Sequence, residues 1–133
     1  MNRHPASLIP VVVALVLFAG LISAGCTTPK DANSPPGMQY SQGSLRSVEA
    51  ASMEQVWRAS RAALNALDIA ELDGQRGAIA AYLDGRTSDL KKVSVKMRRL
   101  SEDKTELKIR ISSFGDEELS RLIYEKIQTA LAP

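Results

Sequence analysis

The residues that could carry out chemistry in this chain are few, and this limits the reactions open to it. The 133-residue sequence contains one cysteine, Cys26, and one histidine, His4. The chain after Cys26 therefore lacks the side chains that form Ser-His-Asp and Cys-His pairs or His/Cys metal sites. Catalysis there would depend on carboxylates, lysines, tyrosines and serines. We expect no catalytic site, no metal site and no cofactor.

The acidic side chains that a two-carboxylate hydrolase would need are scattered over predicted turns. They include Asp68, Asp73, Asp84 and Asp89. A glycosidase needs two carboxylates that face each other across a cleft, and a domain of this size leaves little room for one. The segment from Asp84 to Asp89 has too few oxygen ligands for a calcium loop. We predict that the protein is not an enzyme.

An uncharged apolar segment stands before the cysteine. It covers residues 8–22, follows the basic Arg3, and leads into the small residues Ser-Ala-Gly at 23–25. A membrane-spanning helix needs about 20 apolar residues, so this shorter segment is more typical of a signal peptide. Together with Cys26, the pattern resembles the lipobox of bacterial lipoproteins. The resemblance implies a signal peptide over residues 1–25.

The lipobox resemblance also implies what is attached to Cys26. Cleavage before this residue would leave diacylglycerol on its thiol and usually a third acyl chain, such as palmitate, on its amino group. Ser23 departs from the Leu that is usual at that position, so an uncleaved anchor helix and a plain secretory peptide remain as alternatives. Thr27 favours the periplasmic side of the outer membrane over the inner membrane, by similarity to enterobacterial lipoproteins.

A polar segment connects the predicted anchor to the rest of the chain. Residues 27–43 are rich in Pro, Ser, Thr, Gly, Asn and Gln and contain little that could be buried, a composition typical of disorder. A flexible chain of this length spans roughly 20–25 Å. We predict that residues 26–43 comprise the lipidated cysteine and a disordered tether, and that residues 44–133 form one folded domain.

Hydrophobic periodicity predicts the helices and strands of this domain. Ser52 and Gln55 form a capping box at the start of the first helix. Trp57 flanks the apolar stripe of that helix and is expected to pack rather than to bind a ligand. Ile79 is expected on the same strand face as Ala81 and Leu83. In order, the predicted elements are strand 44–50, helix 53–67, strand 69–72, turn 73–77, strand 78–83, turn 84–89, strands 92–98 and 105–112, and a helix that begins at Gly115-Asp116.

The two strands after residue 91 give the clearest pattern, because each alternates apolar and polar side chains with a period of two. Burial of one face fixes the register of such a pair, and a short loop makes it an antiparallel hairpin. Three apolar pairs and three polar pairs are then expected to face each other: Met97 with Leu107, Val95 with Ile109, Val93 with Ile111, Arg98 with Glu106, Lys96 with Lys108, and Ser94 with Arg110.

The order β-α-β-β-β-β-α predicts an α+β fold in which an antiparallel sheet carries both helices on one face. Phe114, between the last strand and the last helix, is expected in the core. The chain is similar to a family of small bacterial lipoproteins that carry an α+β domain of unknown function. The resemblance covers most of residues 44–131 and depends on Val56-Trp57, Ala63-Leu64, Lys92-Val93-Ser94-Val95 and the segment 109–116 that leads into Leu119-Ser120.

The face of the sheet opposite the helices is expected to be strongly basic. In the simplest interpretation it is a solvated surface whose lysines protect the sheet from pairing with other strands. In the functional interpretation it docks an anionic partner. The candidate binding residues are Tyr82, Lys92, Lys96, Arg98, Lys108 and Arg110.

These observations predict where the protein acts better than what it binds. The formal net charge of +2 gives no field that would attract a nucleic acid. We expect a non-catalytic, membrane-anchored interaction module of the cell envelope with an envelope protein as partner. The alternative is the binding of an anionic glycan or lipid on the basic sheet face.

Overall fold

The structure, a computed structural model, describes residues 37–133. The predicted signal peptide, Cys26 and most of the predicted tether lie outside the described residues. Residues 33–133 form one compact unit, and the whole core described below lies within it, so we expect this segment to fold when it is produced alone. Its elements are β1 Gln39–Ser41, β2 Ser44–Glu49, α1 Met53–Ala66, β3 Ala70–Arg76, β4 Ala80–Arg86, β5 Lys92–Ser101, β6 Lys104–Ile111 and α2 Glu117–Leu131.

The six strands form one antiparallel sheet in the order β1-β2-β6-β5-β4-β3. Helix α1 contacts β3 to β6, helix α2 contacts β2 and β6, and the helices contact each other. The predicted α+β fold with both helices on one sheet face is thereby confirmed. The long-range pairing of β2 with β6 places the first two strands of the domain at one edge of the sheet, beside its last strand.

Local predictions about the hairpin and the first helix are confirmed. All six predicted residue pairs between β5 and β6 are present in the observed register. The capping box forms as expected, because Ser52 N donates to Gln55 Oε1 over 2.9 Å and Gln55 N donates to Ser52 Oγ over 3.3 Å. The six apolar side chains of these pairs are buried in the core, whereas Leu100 near the end of β5 is exposed.

Strand β1 is an element that the sequence pattern did not predict, and it lies in the segment assigned to the tether. Met38 is buried and Tyr40 is partly buried against the core. These two apolar residues stand two positions apart, as expected for one face of a strand, but the strand is too short to show a clear alternation. The folded part of the chain therefore begins several residues before Ser44.

The predicted turn at residues 73–77 is wrong, because β3 continues to Arg76 and the turn lies between Gly77 and Ala80. Asp73 and Gly74 instead adjoin a β-bulge. A Cβ on Gly74 would lie 2.8 Å from Leu83 Cδ2 and 3.3 Å from the Trp57 ring. The glycine thus makes room for Trp57, which packs against the core as predicted. Strand β4 likewise continues to Arg86, beyond its predicted end.

Two apolar residues expected in the interior are exposed. Ile79 is 70% exposed because it lies in the turn before β4, and Phe114 is 95% exposed. The backbone of Ser112 adopts a left-handed conformation with φ 53°, which ends the alternation of β6 before Phe114 is reached. The prediction that Phe114 packs in the core was therefore wrong.

A buried polar network connects β2 to α2. Glu49 is buried and accepts a hydrogen bond from Ser47 Oγ over 2.5 Å and one from Gln128 Nε2 over 2.7 Å. Tyr124, buried beside it, has its pKa raised from 10.0 to about 12, chiefly by burial and then by the charge of Glu49. The network satisfies a carboxylate that would otherwise destabilise the interior.

The shifted pKa of Tyr124 predicts a loss of stability at alkaline pH. The folded state holds the phenol proton more tightly than the unfolded state. The stabilisation that the protonated Tyr124 gives the folded state is therefore fully present below pH 10 and is lost as the pH rises to about 12. We expect the free energy of unfolding of the wild type to fall by roughly 1–3 kcal/mol more than that of Tyr124→Phe across this range. Urea unfolding at pH 8 to 12 measures the difference, and parallel curves for the two proteins would contradict it.

Candidate binding face

The face of the sheet turned away from the helices, here called the open face, arranges its side chains in rows that cross the strands. The register of the five strand pairs aligns one residue from each strand in its central row. This row runs Gln39, Arg46, Lys108, Lys96, Tyr82 and Gln75, from one edge of the sheet to the other.

Three positively charged residues stand side by side in the middle of this row, and we call Arg46, Lys108 and Lys96 the cation row. Neighbouring strands lie about 4.8 Å apart, and like charges directly opposite each other destabilise a sheet. Within residues 37–133, none of the three side chains has a hydrogen bond or an ion pair. The protein therefore keeps three adjacent positive charges without a described partner in the central strands of its sheet.

Two of the predicted candidate cations lie outside the cation row, and each has a carboxylate beside it. Arg98 Nε and Nη2 each lie 2.8 Å from Glu106 Oε2, an arrangement that the predicted hairpin register anticipated. Lys92 Nζ lies 3.6 Å from Asp84 Oδ2. Their charges are largely compensated, so Arg98 and Lys92 contribute less to the attraction of an anion.

Arg110 has a structural role in addition to its charge. Its guanidinium donates to Gln42 O over 3.0 Å, to Ser44 Oγ over 3.1 Å, and to Ser113 O. It thus connects the turn between β1 and β2 with the loop that follows β6. All three partners are neutral, so the positive charge of Arg110 adds to that of the cation row.

Tyr82 continues the row beyond Lys96 and is held in place by a hydrogen bond. Its hydroxyl donates to Asp73 Oδ2 over 2.9 Å, and this bond is the main reason that the pKa of Tyr82 is raised. The tyrosine ring is half-exposed beside Lys96. Asp84 lies nearby, so this end of the open face is acidic while its centre is basic.

Two hollows adjoin each other on the open face and share Lys96 and Lys108. The larger, of about 940 Å³, is also lined by Arg46, Tyr82 and Gln75. The smaller, of about 500 Å³, is lined by four cations and by no carboxylate among the described residues. Lys96 and Lys108 of the cation row therefore form the boundary between two concave regions that a ligand could occupy together.

The structure brings all six predicted candidate residues to one face, but it changes their relative importance. Lys96 and Lys108 stand in the cation row, Tyr82 extends it, and the other three are compensated or engaged elsewhere. Arg46 was missed. The alternation within β2 gave a signal, because Arg46 follows the core residue Leu45, but the sequence did not show that β2 lies beside β6.

No group of three or more His, Cys, Asp or Glu side chains that could hold a metal ion occurs within residues 37–133. No helix of this region is long and apolar enough to span a membrane.

Comparison with known proteins gives a family but no function. A family model described as "Protein of unknown function (DUF3568)" matches residues 8–130. No curated protein matches the chain. The family match covers the apolar N-terminal segment as well as the α+β domain.

Proposed function

The chain belongs to the DUF3568 family of unknown function, and we propose that it is a bacterial lipoprotein whose domain binds an anionic component of the cell envelope. In this proposal Cys26 carries the acyl chains, residues 1–25 are removed, and the protein faces the periplasm from the outer membrane. The domain acts by binding and not by catalysis.

The proposed anchor is supported by the sequence around Cys26. The short apolar segment, the small residues before the cysteine and Thr27 after it agree with a lipoprotein destined for the outer membrane. One acyl chain alone holds a protein only weakly, but two or three hold it firmly. The segment up to the first described residue would then let the domain reach ligands near the membrane surface.

The single observation that carries the proposed binding role is the cation row. Arg46, Lys108 and Lys96 stand opposite one another without a described partner, although such an arrangement costs stability. An anionic ligand would remove that cost on binding. This favours an anionic glycan or lipid over the broader expectation of an envelope protein partner.

An envelope protein remains the second candidate partner, because a different surface of the domain exposes large apolar side chains. Phe114 is 95% exposed and Leu90 is 72% exposed, and both lie in loops at the same end of the sheet. Exposed apolar side chains of this size are common anchors in protein interfaces. A protein partner would therefore be expected at this end and not on the open face.

Photo-crosslinking in cells distinguishes the two candidates. A photoreactive residue is placed at Lys96 on the open face, at Phe114 in the loop, and at Lys126 on α2 as a control. We expect Lys96 to give adducts to non-protein envelope material that are absent from Lys126. A specific protein adduct from Phe114 alone would favour the second candidate, and identical adducts from Lys96 and Lys126 would contradict binding at the open face.

A further inference from the structure

We propose that the ligand of the open face is a linear acidic glycan, a sugar chain with anionic groups on successive sugars, lying along the cation row across the strands. The inference rests on the proposed anion-binding role of the open face, but it does not depend on the lipid anchor.

The geometry of the cation row requires an extended ligand. Each step from one strand to the next is about 4.8 Å, so the three charges of Arg46, Lys108 and Lys96 extend over about 10 Å. A small anion such as free phosphate would contact only one or two of them. A chain with several anionic groups engages all three, and the exposed amides of Gln39 and Gln75 stand at the two ends of the same row.

The acidic residues of the open face restrict where the anionic groups can lie. Asp73 and Asp84 face each other across β3 and β4, and Glu106 lies beside Arg98. Asp73 and Asp84 would repel an anionic group placed beyond Lys96, on the side of β4 and β3, whereas Glu106 stands next to Lys108 along β6 and is held by Arg98. The charged part of the ligand is therefore confined to the section from Arg46 to Lys96, and a neutral part would lie beside Tyr82 and Gln75.

The side chains in the hollows suit sugars better than lipid tails or a protein. The residues that line the larger hollow are mostly charged or polar, with Ala80 and Ala81 among its few apolar residues, and the carbon atoms of these side chains form much of its surface. Protein interfaces usually need a desolvated apolar centre, and acyl chains need an apolar slot. Sugars need hydrogen-bonding groups and a flat apolar surface, which Gln75 and the ring of Tyr82 provide.

The test measures how affinity depends on the number of anionic groups. Oligogalacturonates of one to six sugars and a heparin hexasaccharide are titrated calorimetrically into the unit of residues 33–133, with neutral maltohexaose as the comparison ligand. We expect affinity to rise up to about three or four sugars and then to level off. Raising the salt concentration should weaken binding because the charges are exposed.

Alanine variants of the cation row test whether the affinity for the glycan depends on these three side chains. Arg46→Ala, Lys108→Ala and Lys96→Ala are each expected to weaken binding about threefold to fivefold, the upper part of the range of an exposed ion pair. Lys126→Ala, which removes an exposed lysine from α2, should leave affinity unchanged. Circular dichroism of each variant establishes that it is folded.

Three outcomes would overturn the inference. Affinity that does not depend on chain length, or equal sensitivity to the Lys126 control, would exclude binding along the row. Tighter binding to phosphatidylglycerol vesicles or to hexaglutamate would replace the glycan with a lipid or an acidic peptide but would leave anion binding intact. No binding to any of these anions would overturn the glycan and the proposed anion-binding role together.

Discussion

A Gly115→Ala domain is expected to lose roughly 3–5 kcal/mol of folding free energy, enough to leave a marginally stable domain partly unfolded. Gly115 has φ +89°, a conformation that alanine adopts only with strain. A Cβ there would lie 2.4 Å from Gly43 Cα, 2.5 Å from Tyr40 Oη and 2.6 Å from Gly43 O. Two of these atoms belong to the backbone and cannot move aside as a flexible side chain could.

The chain offers a matched control for this prediction. Gly37 also has a positive φ, +96°, but a Cβ there would meet nothing within 4 Å. Gly37→Ala isolates the conformational penalty of a positive φ, which we expect to be about 1–2 kcal/mol. Urea unfolding of both variants measures the difference between them. Equal losses would show that the close backbone contact between Gly43 and Gly115 contributes nothing.

A Cys26→Ser protein is expected to lose all acyl chains and to keep its N-terminal residues. Serine lacks the thiol that receives the diacylglycerol, and without that modification the proposed cleavage before residue 26 should not take place. Each methylene of an acyl chain contributes roughly 0.8 kcal/mol to membrane binding, so the acylated form should be held far more firmly. Labelling with a clickable fatty acid should fall to background, and the intact mass should include residues 1–25.

The alternatives to lipidation give different results in the same experiment. An uncleaved anchor helix would give an unlabelled protein of full length both with and without the cysteine. A plain secretory peptide would give an unlabelled, cleaved protein in both cases. Ser23→Leu, which restores the usual lipobox residue, is the control and should keep both the label and the cleavage.

Sequence reasoning succeeded where structure depends on near neighbours. The register of β5 and β6 follows from two adjacent alternating segments joined by a short loop, because burial fixes which side chains face the core and the short loop limits which residues can pair. The candidate site was found in part for the same reason, since Lys96 and Lys108 belong to that hairpin. Their pairing could be predicted from residues that lie close together in the sequence.

The features of the site and of the fold that the sequence patterns did not predict depend on contacts between segments that are distant in the sequence. Arg46 joins the cation row only because β2 pairs with β6, and no local pattern shows which strands become neighbours. Gly74 resembles a turn residue in sequence, yet it lies in a strand because Trp57 from α1 occupies the space beside it. Tertiary packing determined both positions.

The polar network that joins β2 to α2 also connects segments that lie at opposite ends of the domain sequence. Glu49 lies near the start of the domain, whereas its partner Gln128 lies almost at the C-terminus. Contacts between such distant residues form slowly, because the intervening chain must first be brought together. During synthesis β2 has neither β6 nor α2 to pack against until nearly the whole chain has emerged. We therefore expect β2 to join the core late, and a chain that stops before α2 would leave the core beneath β2 uncovered.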